Sequence, residues 1–182
     1  MDTCQTFNFK TNSLRNLKLQ DSHCIGAAFN GVDIRNADFS GSSLQMASFR
    51  HVIGSNVNFQ RCDLTCADFS SGIFFEADFS FSDLINANFD SSQLIGVDFS
   101  YARLEFASFR KADLRKAKLA HADLRSSILE GAKFDDETVL PFSHEEGLAR
   151  GMVKESLSSS AKNFIWNWVT SKRHYLSGAS QN

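Results

Sequence analysis

The residues of this sequence whose types and spacing could best serve a chemical role are a run of carboxylates without basic neighbours. Between Cys62 and Ser100 the chain has no Lys or Arg. It carries seven acidic residues there, which we call the acidic belt: Asp63, Asp68, Glu76, Asp78, Asp83, Asp90 and Asp98. Such a line of carboxylates can imitate nucleic-acid phosphates toward a basic partner. Alternatively, each Asp hydrogen-bonds to the backbone of a local turn, as Asp and Asn commonly do.

These carboxylates belong to a five-residue repeat. From 9 to 134, every position whose number ends in 4 or 9 is Phe or Leu, except Cys24, Ile34 and Gly54. Two residues earlier, from position 27 to position 132, the residue is always Ala, Val, Ser, Cys or Gly. The residue between these two is mostly polar. A period of five fits neither an α-helix nor a simple strand, so the repeat indicates a solenoid.

Each repeat unit consists of a small residue, then Asp or Asn, then Leu or Phe, and then two variable residues. This pattern resembles the pentapeptide-repeat family. The resemblance covers about residues 7 to 136 without an insertion. It implies an all-β, right-handed quadrilateral β-helix in which four pentapeptides make one square coil. Residues twenty apart should then stack, and the Phe column Phe29, Phe49, Phe69, Phe89 and Phe109 agrees with this. We expect residues 1–6 to be a short N-terminal segment and residues 137–182 a C-terminal helical cap and tail.

Gly54 departs from the pattern, because it stands where a Phe or Leu belongs. Glycine tolerates backbone conformations that other residues avoid. We therefore expect a bulge or a locally collapsed turn at Gly54, with a functional kink as the alternative.

The end of a β-helix exposes core and unpaired backbone and needs a cap. Ser143 followed by Glu146 forms a capping box, so a helix should begin near His144. Apolar residues continue at helical spacing beyond it. Those expected to cover the last coil, or to form a homodimer contact as in gyrase-directed relatives, are Leu148, Met152, Phe164, Ile165 and Trp168.

Stacking at twenty residues also brings apolar side chains together on the outside. Phe81 should lie beside Tyr101, with Arg61 and His121 on either side of the pair. Adjacent exposed apolar residues suggest a contact surface. The predicted apolar patch for partner binding comprises Phe75, Phe81, Ile95, Tyr101 and Phe106.

Catalysis is not indicated by the remaining reactive residues. The five His residues are scattered, and there is no phosphate-binding loop or nucleophile elbow. Cys62 and Cys66 have a spacing seen in metal sites, but the repeat points one inward and the other outward. A rod with a filled interior also lacks a concave site. We expect no enzyme activity, no metal and no cofactor.

Two functions of different class follow. The first is a DNA-mimicking protector or inhibitor of DNA gyrase or another type II topoisomerase, which the family resemblance implies. The second is a protein-binding scaffold or adaptor, including a bacterial effector module. In both the partner is a protein, without direct nucleic-acid binding.

The formal net charge of −2 and the absence of a long apolar run or signal peptide lead us to expect a cytoplasmic bacterial protein without a membrane span. Secretion by a specialised apparatus would leave no mark in the sequence.

Overall fold

A computed structural model of the chain describes residues 13–158, and most of these form a four-sided parallel β-helix. On each side, one residue pairs with the residue twenty positions later, as Ser13 does with Asp33 and Lys18 with Asp38. The next N–H also reaches the following coil, with Leu14 N donating to Asp33 O over 2.7 Å. The predicted fold and its twenty-residue register are confirmed. The predicted start at residue 7 and segment 1–6 lie outside the described residues.

We name the four faces by the central residue that each coil contributes. Face A is centred on Leu14, Ile34, Gly54, Phe74, Leu94 and Leu114, and face B on Leu19, Phe39, Phe59, Phe79, Phe99 and Leu119. Face C is centred on Cys24, Leu44, Leu64, Leu84, Leu104 and Leu124, and face D on Phe29, Phe49, Phe69, Phe89, Phe109 and Leu129. Faces A and C are opposite sides of the rod, as are faces B and D.

Two columns of phenylalanine fill most of the interior. In face D the rings of Phe29 and Phe49 are parallel with centroids 4.7 Å apart, and Phe49 and Phe69 follow at 5.0 Å. The face B column repeats this stacking, and its rings meet those of face D edge to face, as Phe59 meets Phe69 at 5.7 Å. These rings are fully buried. Both arrangements are favourable for aromatic quadrupoles, so the columns add specific stacking to hydrophobic burial.

The chain turns each corner through a residue in the left-handed conformation, two positions after the central residue. Examples are Asn36, with a φ of 63°, and Phe81, with a φ of 60°. Gly and Asn tolerate this region best, and for other residues it is locally unfavourable. Residues at the corners face outward and form four external columns along the rod.

Gly54 does not form a bulge or a collapsed turn, so that prediction is wrong. Its N–H donates to Ile73 O over 2.7 Å, as in a regular coil. A Cβ atom at Gly54 would lie 2.7 Å from the ring of Phe74, and one at Gly72 would lie 2.3 Å from it. Phe74 is the large residue of the next coil in face A. The two glycines therefore make room for a ring at a level of the column where the nearest other large residues are Ile34 and Leu94.

The C-terminal part closes the rod with three short elements. Strand β1 is Lys133–Phe134, helix α1 is His144–Ala149 and strand β2 is Val153–Lys154. Strand β2 pairs in parallel with β1, with Val153 opposite Lys133. The ladder thus extends past residue 136, where the sequence analysis ends the repeat. After β1 the chain still pairs on face B, where Val139 lies opposite Lys118. Helix α1 follows in place of the next sides of the coil, and the chain returns to face A at Val153, twenty residues after Lys133.

The predicted helix start is confirmed, because the hydroxyl of Ser143 accepts a hydrogen bond from Glu146 N over 3.1 Å and α1 begins at His144. The Glu146 carboxylate, expected to complete the capping box, instead accepts from Arg150. The expected apolar stripe is wrong. The helix ends at Ala149, and Gly151 with a φ of 84° redirects the chain. Met152 is consequently buried from a non-helical position, whereas Leu148 remains 50% exposed. Leu140 and Phe142 pack on the core instead. The predicted cap residues Phe164, Ile165 and Trp168 lie outside the described residues.

We predict that Gly54 and Phe74 are energetically coupled. Gly54→Leu restores the repeat pattern but overfills the interior beside Phe74, so it should lower the free energy of unfolding by about 1–3 kcal/mol. Adding Phe74→Leu should recover most of this loss, because the double variant has the Leu packing of the neighbouring coils. Urea unfolding of the two single variants and the double variant measures the coupling. Additive effects would show that Phe74 does not determine the need for glycine.

Candidate functional site

The acidic belt encircles the rod and does not form one line. Asp78 and Asp98 lie on face B, and Asp63 and Asp83 on face C. The remaining members, on face D and at the corner between faces A and B, are Asp68, Asp90 and Glu76. Faces B and C together therefore present two neighbouring columns of two carboxylates each.

Five belt carboxylates accept a hydrogen bond from the backbone two residues further along. Asp78 Oδ1 accepts from Ser80 N over 2.9 Å, and Asp98 Oδ1 accepts from Ser100 N over 2.9 Å. The same bond is made by Asp63, Asp68 and Asp83. This is an Asx turn, which stabilises the corner that follows each central residue. The turn explanation of these residues is therefore confirmed, and their charge is not needed for it.

Three belt carboxylates also have basic partners. Asp83 Oδ2 lies 2.7 Å from Arg103 NH1, Asp98 Oδ2 lies 3.6 Å from Lys118 Nζ, and Asp68 Oδ2 lies 3.7 Å from Arg50 Nε. These partners are outside the interval between Cys62 and Ser100, but stacking places them one coil away. Part of the negative charge expected from the sequence is therefore compensated.

Asp63 and Asp78 keep more of their charge. Their Oδ2 atoms accept hydrogen bonds from neutral amides, Gln45 Nε2 and Gln60 Nε2, each over 2.5 Å. Within residues 13–158 neither carboxylate forms an ion pair. Glu76 and Asp90 form no ion pair within residues 13–158 either, so these four belt carboxylates are the candidates for contact with an external cation.

The belt is followed by a basic stretch from Arg110 to Arg125, which has six Lys and Arg residues against Asp113 and Asp123. Its charges are also paired in part. Arg115 pairs with Asp113, and Arg125 lies 2.6 Å from Glu105 and 2.7 Å from Asp123. The hydrogen bond from the Arg125 guanidinium lowers the pKa of the Asp123 carboxyl. Of these carboxylates only Glu105 lies outside the stretch, so its pairing with Arg125 compensates part of the net positive charge.

An exposed aromatic stack lies at the corner between faces B and C. The rings of Phe81 and Tyr101 are parallel with centroids 5.0 Å apart. His121 stacks on the other side of Tyr101 at 4.8 Å, and the Arg61 guanidinium lies 5.9 Å from the Phe81 centroid. Phe81 is 55% exposed and Tyr101 51%. The predicted arrangement of these four residues, which we call the aromatic edge, is confirmed.

Phe75 and Ile95 are not part of an exposed patch, so this expectation is wrong. Their side chains are 3% and 5% exposed, because Leu157 packs over them in a small cluster with Ile73. Leu157 follows strand β2, and its position depends on the route of the chain after the repeat. Periodicity gave no signal for this contact.

Face C collects the exposed apolar side chains of the coils. Phe106 is 59% exposed and Met46 63%, and both lie at the corner between faces C and D. Ile25, 48% exposed, lies on face C itself. With Phe81 and Tyr101 at the opposite corner, these are all the large apolar residues exposed in the coils from residue 13 to residue 134. The candidate site therefore includes Ile25 and Met46, which the predicted patch omits although their columns in the repeat identify them.

The aromatic residues of this site occupy unfavourable backbone positions. Phe81, Tyr101 and Phe106 each have a φ of 60°, and Met46 has a φ of 58°. For residues with a Cβ atom, left-handed backbone costs about 1–2 kcal/mol. The same conformation occurs at corners that carry polar residues, such as His51 and Glu76. What distinguishes these four corners is that their side chains are large, apolar and exposed.

The cysteines differ sharply in environment. Cys62 is buried, and burial raises the pKa of its thiol to about 12. Cys66 is a free, exposed thiol in the same corner column as Met46 and Phe106. Cys24 is disulfide-bonded, a bond that the sequence analysis does not predict. Among residues 13–158 no group of three or more His, Cys, Asp or Glu side chains could hold a metal ion.

No helix in the described part of the chain is long and apolar enough to span a bilayer.

Comparison with protein families identifies the repeat. The family model for pentapeptide repeats matches eight copies, in segments 18–53, 42–74, 55–90, 73–105 and 92–131. The chain belongs to this family. The pentapeptide-repeat fold is a right-handed quadrilateral β-helix, in agreement with the four-sided ladder described above. No curated protein matches the sequence significantly.

Several solved pentapeptide-repeat structures are similar to this chain. Rfr23 from the cyanobacterium Cyanothece 51142 is 22% identical, with coverage of 71% of this chain and 91% of Rfr23 and a TM-score of 0.47. QnrB1, a plasmid-mediated fluoroquinolone resistance protein, is 13% identical in its trypsin-treated form, with coverage of 86% and 89% and a TM-score of 0.48. The protein alr5209 from Nostoc is 30% identical, with coverage of 54% and 84% and a TM-score of 0.28.

We predict that the belt aspartates stabilise the fold through hydrogen bonding and not through charge. Asp78→Asn keeps an oxygen that can accept from Ser80 N, and its new Nδ2 can donate to Gln60 once the Gln60 amide turns over, so the free energy of unfolding should change by less than about 0.5 kcal/mol. Asp78→Ala removes the acceptor and should lower it by about 1 kcal/mol. Urea unfolding of both variants tests this. Equal destabilisation by Asn and Ala would show that the charge of Asp78 is required.

Proposed function

We propose that this pentapeptide-repeat protein is a non-enzymatic protein-binding module that contacts its partner through face C. The observation that supports this most directly is the concentration of exposed apolar side chains on face C and its two corners. Four of the five, Met46, Phe81, Tyr101 and Phe106, are kept in left-handed backbone conformations that favour Gly or Asn. An apolar patch held at a local energetic cost is characteristic of a binding surface.

The geometry of face C defines the partner surface. Each corner carries two exposed apolar residues, Phe81 and Tyr101 on one side and Met46 and Phe106 on the other. Between the corners lie the carboxylates of Asp63 and Asp83. Asp63 is hydrogen-bonded to the neutral Gln45, whereas Asp83 is already paired with Arg103. A matching surface would offer apolar recesses on either side of a Lys or Arg that reaches Asp63. From Met46 to Phe106 the surface spans three coils, or roughly 14 Å.

DNA gyrase, or another type II topoisomerase, is the second candidate partner. The observation in its favour is the two neighbouring columns of carboxylates, Asp78 and Asp98 on face B beside Asp63 and Asp83 on face C. Two considerations favour the broader proposal. The acidic belt spans only two coils, roughly 10 Å, which equals about three base-pair steps of DNA. Two of these four carboxylates are also in ion pairs.

We predict that replacing the aromatic edge removes partner binding without unfolding the rod. In the Phe81→Asn/Tyr101→Asn variant, loss of ring stacking worth about 0.5–1.5 kcal/mol is offset by the better fit of Asn to left-handed backbone, about 1–2 kcal/mol. Proteins captured from a bacterial lysate by the wild type should be absent from captures by this variant. Each captured protein, once purified, should slow maleimide labelling of Cys66, measured by mass spectrometry.

The matched control is His51→Asn, the same kind of corner replacement on the other side of the rod, between faces D and A. It should capture the same proteins as the wild type. A purified partner that binds the aromatic-edge variant as tightly as the wild type, or leaves the labelling rate of Cys66 unchanged, would contradict face C as the contact surface.

A gyrase supercoiling assay, with and without a fluoroquinolone, tests the second candidate. If carboxylates imitate phosphates, the wild type should alter supercoiling, and added salt should weaken the effect, because exposed charges are screened over about 8–10 Å at physiological ionic strength. The Asp63→Asn/Asp78→Asn/Asp83→Asn/Asp98→Asn variant should then lose the effect while remaining folded. An effect that survives these substitutions but disappears in the Phe81→Asn/Tyr101→Asn variant would assign gyrase to the apolar surface. No effect of the wild type would remove gyrase as a candidate.

A further inference from the structure

The last coil of the rod has a backbone edge that stays open on faces C and D. In the preceding coil, Leu104 N donates to Asp123 O over 2.9 Å, and Ala102 O accepts from Asp123 N over 3.0 Å. The equivalent groups of the last coil have no following coil to bond. Within residues 13–158 no hydrogen-bond partner is found for the N–H groups of Leu124, Ser126 and Leu129 or for the carbonyls of Ala122 and Ser127.

The other two faces of the last coil are closed by the chain itself. On face A strand β2 pairs with β1, and on face B Val139 pairs with Lys118. The interior is sealed as well, since Leu124 and Leu129 are only 4% and 3% exposed. What remains open is therefore main chain and not core. An open edge of this kind is a template for one added strand.

A cleft of about 410 Å³ lies along this edge at the corner between faces C and D, and it is lined by Ser126, Ser127, Ile128, Leu129, Glu130 and Arg150. Its volume falls within the range of ligand pockets. Ile128 is a half-buried apolar residue at an outward position of face D. The earlier coils have small or polar residues at that position, namely Ala28, Ser48, Asp68, Asn88 and Ser108. The edge thus combines free backbone groups with an apolar side chain.

The open edge ends at Leu129. Gly131 N donates to Gly151 O over 2.8 Å, and a Cβ atom on Gly151 would lie 3.5 Å from Glu130 Cα. The returning chain therefore occupies the next position along the edge. A strand added in parallel, as each coil of the rod is, can pair as far as Leu129 and no further. This favours a segment whose chain ends there.

We propose that this edge binds the C-terminal segment of a partner protein as an added parallel strand. The last residue of the segment lies opposite Ile128, donates its N–H to Ser127 O and accepts from Leu129 N with its terminal carboxylate. Ile128 itself bonds to the preceding coil in this way, through Ala107 O and Phe109 N.

Arg150 lines the same cleft and supplies positive charge for the carboxylate. Its side chain is 38% exposed and pairs with Glu146 over 2.9 Å. Ion pairs at exposed positions contribute little stability, so the guanidinium is free to turn toward a bound carboxylate.

The edge also specifies the side chains of the segment. The last residue is apolar, because it forms a cross-strand pair with Ile128. The residue two positions earlier follows the corner at Ser126 and is Gly or Asn, which tolerate left-handed backbone. Residues that point inward are small, because the interior beneath them is already filled. This inference does not depend on the proposed function, since it uses the main chain of the last coil and not the apolar residues of face C.

The test uses the acetylated peptide Ala-Asp-Ala-Arg-Gly-Ser-Ile with a free C-terminal carboxylate. Its sequence follows residues 122–128, which occupy the equivalent place on the preceding coil, with Ala at the large inward position and Gly at the corner. Added to the full-length ¹⁵N-labelled protein, the peptide should shift the amide signals of Leu124, Ser126 and Leu129. The same peptide with an amidated C-terminus should bind about tenfold more weakly or worse, because it lacks the charge-assisted hydrogen bond.

Ile128→Ser introduces a residue that face D already carries at Ser48 and Ser108, and it should weaken peptide binding by up to about fivefold through loss of the cross-strand pair. The matched control is Ile53→Ser, the same change at the same position of the repeat on face A, which should bind the peptide as the wild type does. The Phe81→Asn/Tyr101→Asn variant should also bind it normally, so a failure of the proposed function leaves this result unchanged.

Three outcomes would overturn the proposal. The first is the absence of shifts at the three edge amides when the free-acid peptide is added. The second is equal binding of the amidated peptide, which would remove the requirement for a chain end. The third is protection of the edge amides from hydrogen exchange without peptide, together with a doubled mass in light scattering, which would assign the edge to a second copy of this chain.

Discussion

The structure depends on the stacking of one large side chain on its equivalent in the next coil. Parallel strands lie about 4.8 Å apart, and the phenylalanine rings of face D are spaced at 4.7–5.0 Å, close to that distance. Each ring therefore meets its neighbour at contact distance without tilting the coil. This packing fixes the twenty-residue register. The register in turn decides which outward residues are neighbours, including every ion pair and aromatic contact on the surface that joins two coils.

The same packing fixes the total volume that side chains must fill in the interior, and different combinations of residues can fill it. Phe74 brings a ring into a column of smaller side chains, and Gly54 and Gly72 remove the atoms that would collide with it. From the sequence, Gly54 looks like a defect of the repeat. In three dimensions its small volume compensates for the large volume of Phe74, because close-packed interiors respond to total volume more than to the residue at one position.

The parts of the site that could be predicted from the sequence are those that need only the register. Arg61, Phe81, Tyr101 and His121 are twenty residues apart and lie in one column. The start of α1 was also predictable, since the bond from Glu146 N to Ser143 is local. The burial of Phe75 was not, because Leu157 reaches it through a route set by packing after the repeat. The compensation of the acidic belt by Arg103 also needs only the register, since Asp83 and Arg103 are twenty residues apart, although the interval from Cys62 to Ser100 taken alone contains no basic residue.

Only two of every five residues are constrained by the interior, and this explains why the fold identifies the family more readily than the partner. Outward side chains contribute little to the stacking that holds the rod together, so each face can acquire its own chemistry. Face A is covered by the chain, faces B and D carry mainly polar residues, and face C is bordered by exposed apolar ones.

The corners are the informative positions. Gly or Asn there reflects the backbone alone, whereas Phe81 and Tyr101 persist against the local preference and are stabilised by their contacts with each other, with His121 and with the Arg61 guanidinium. Such residues distinguish a recognition surface from the background of a solenoid more reliably than the acidic residues, which the turns themselves require.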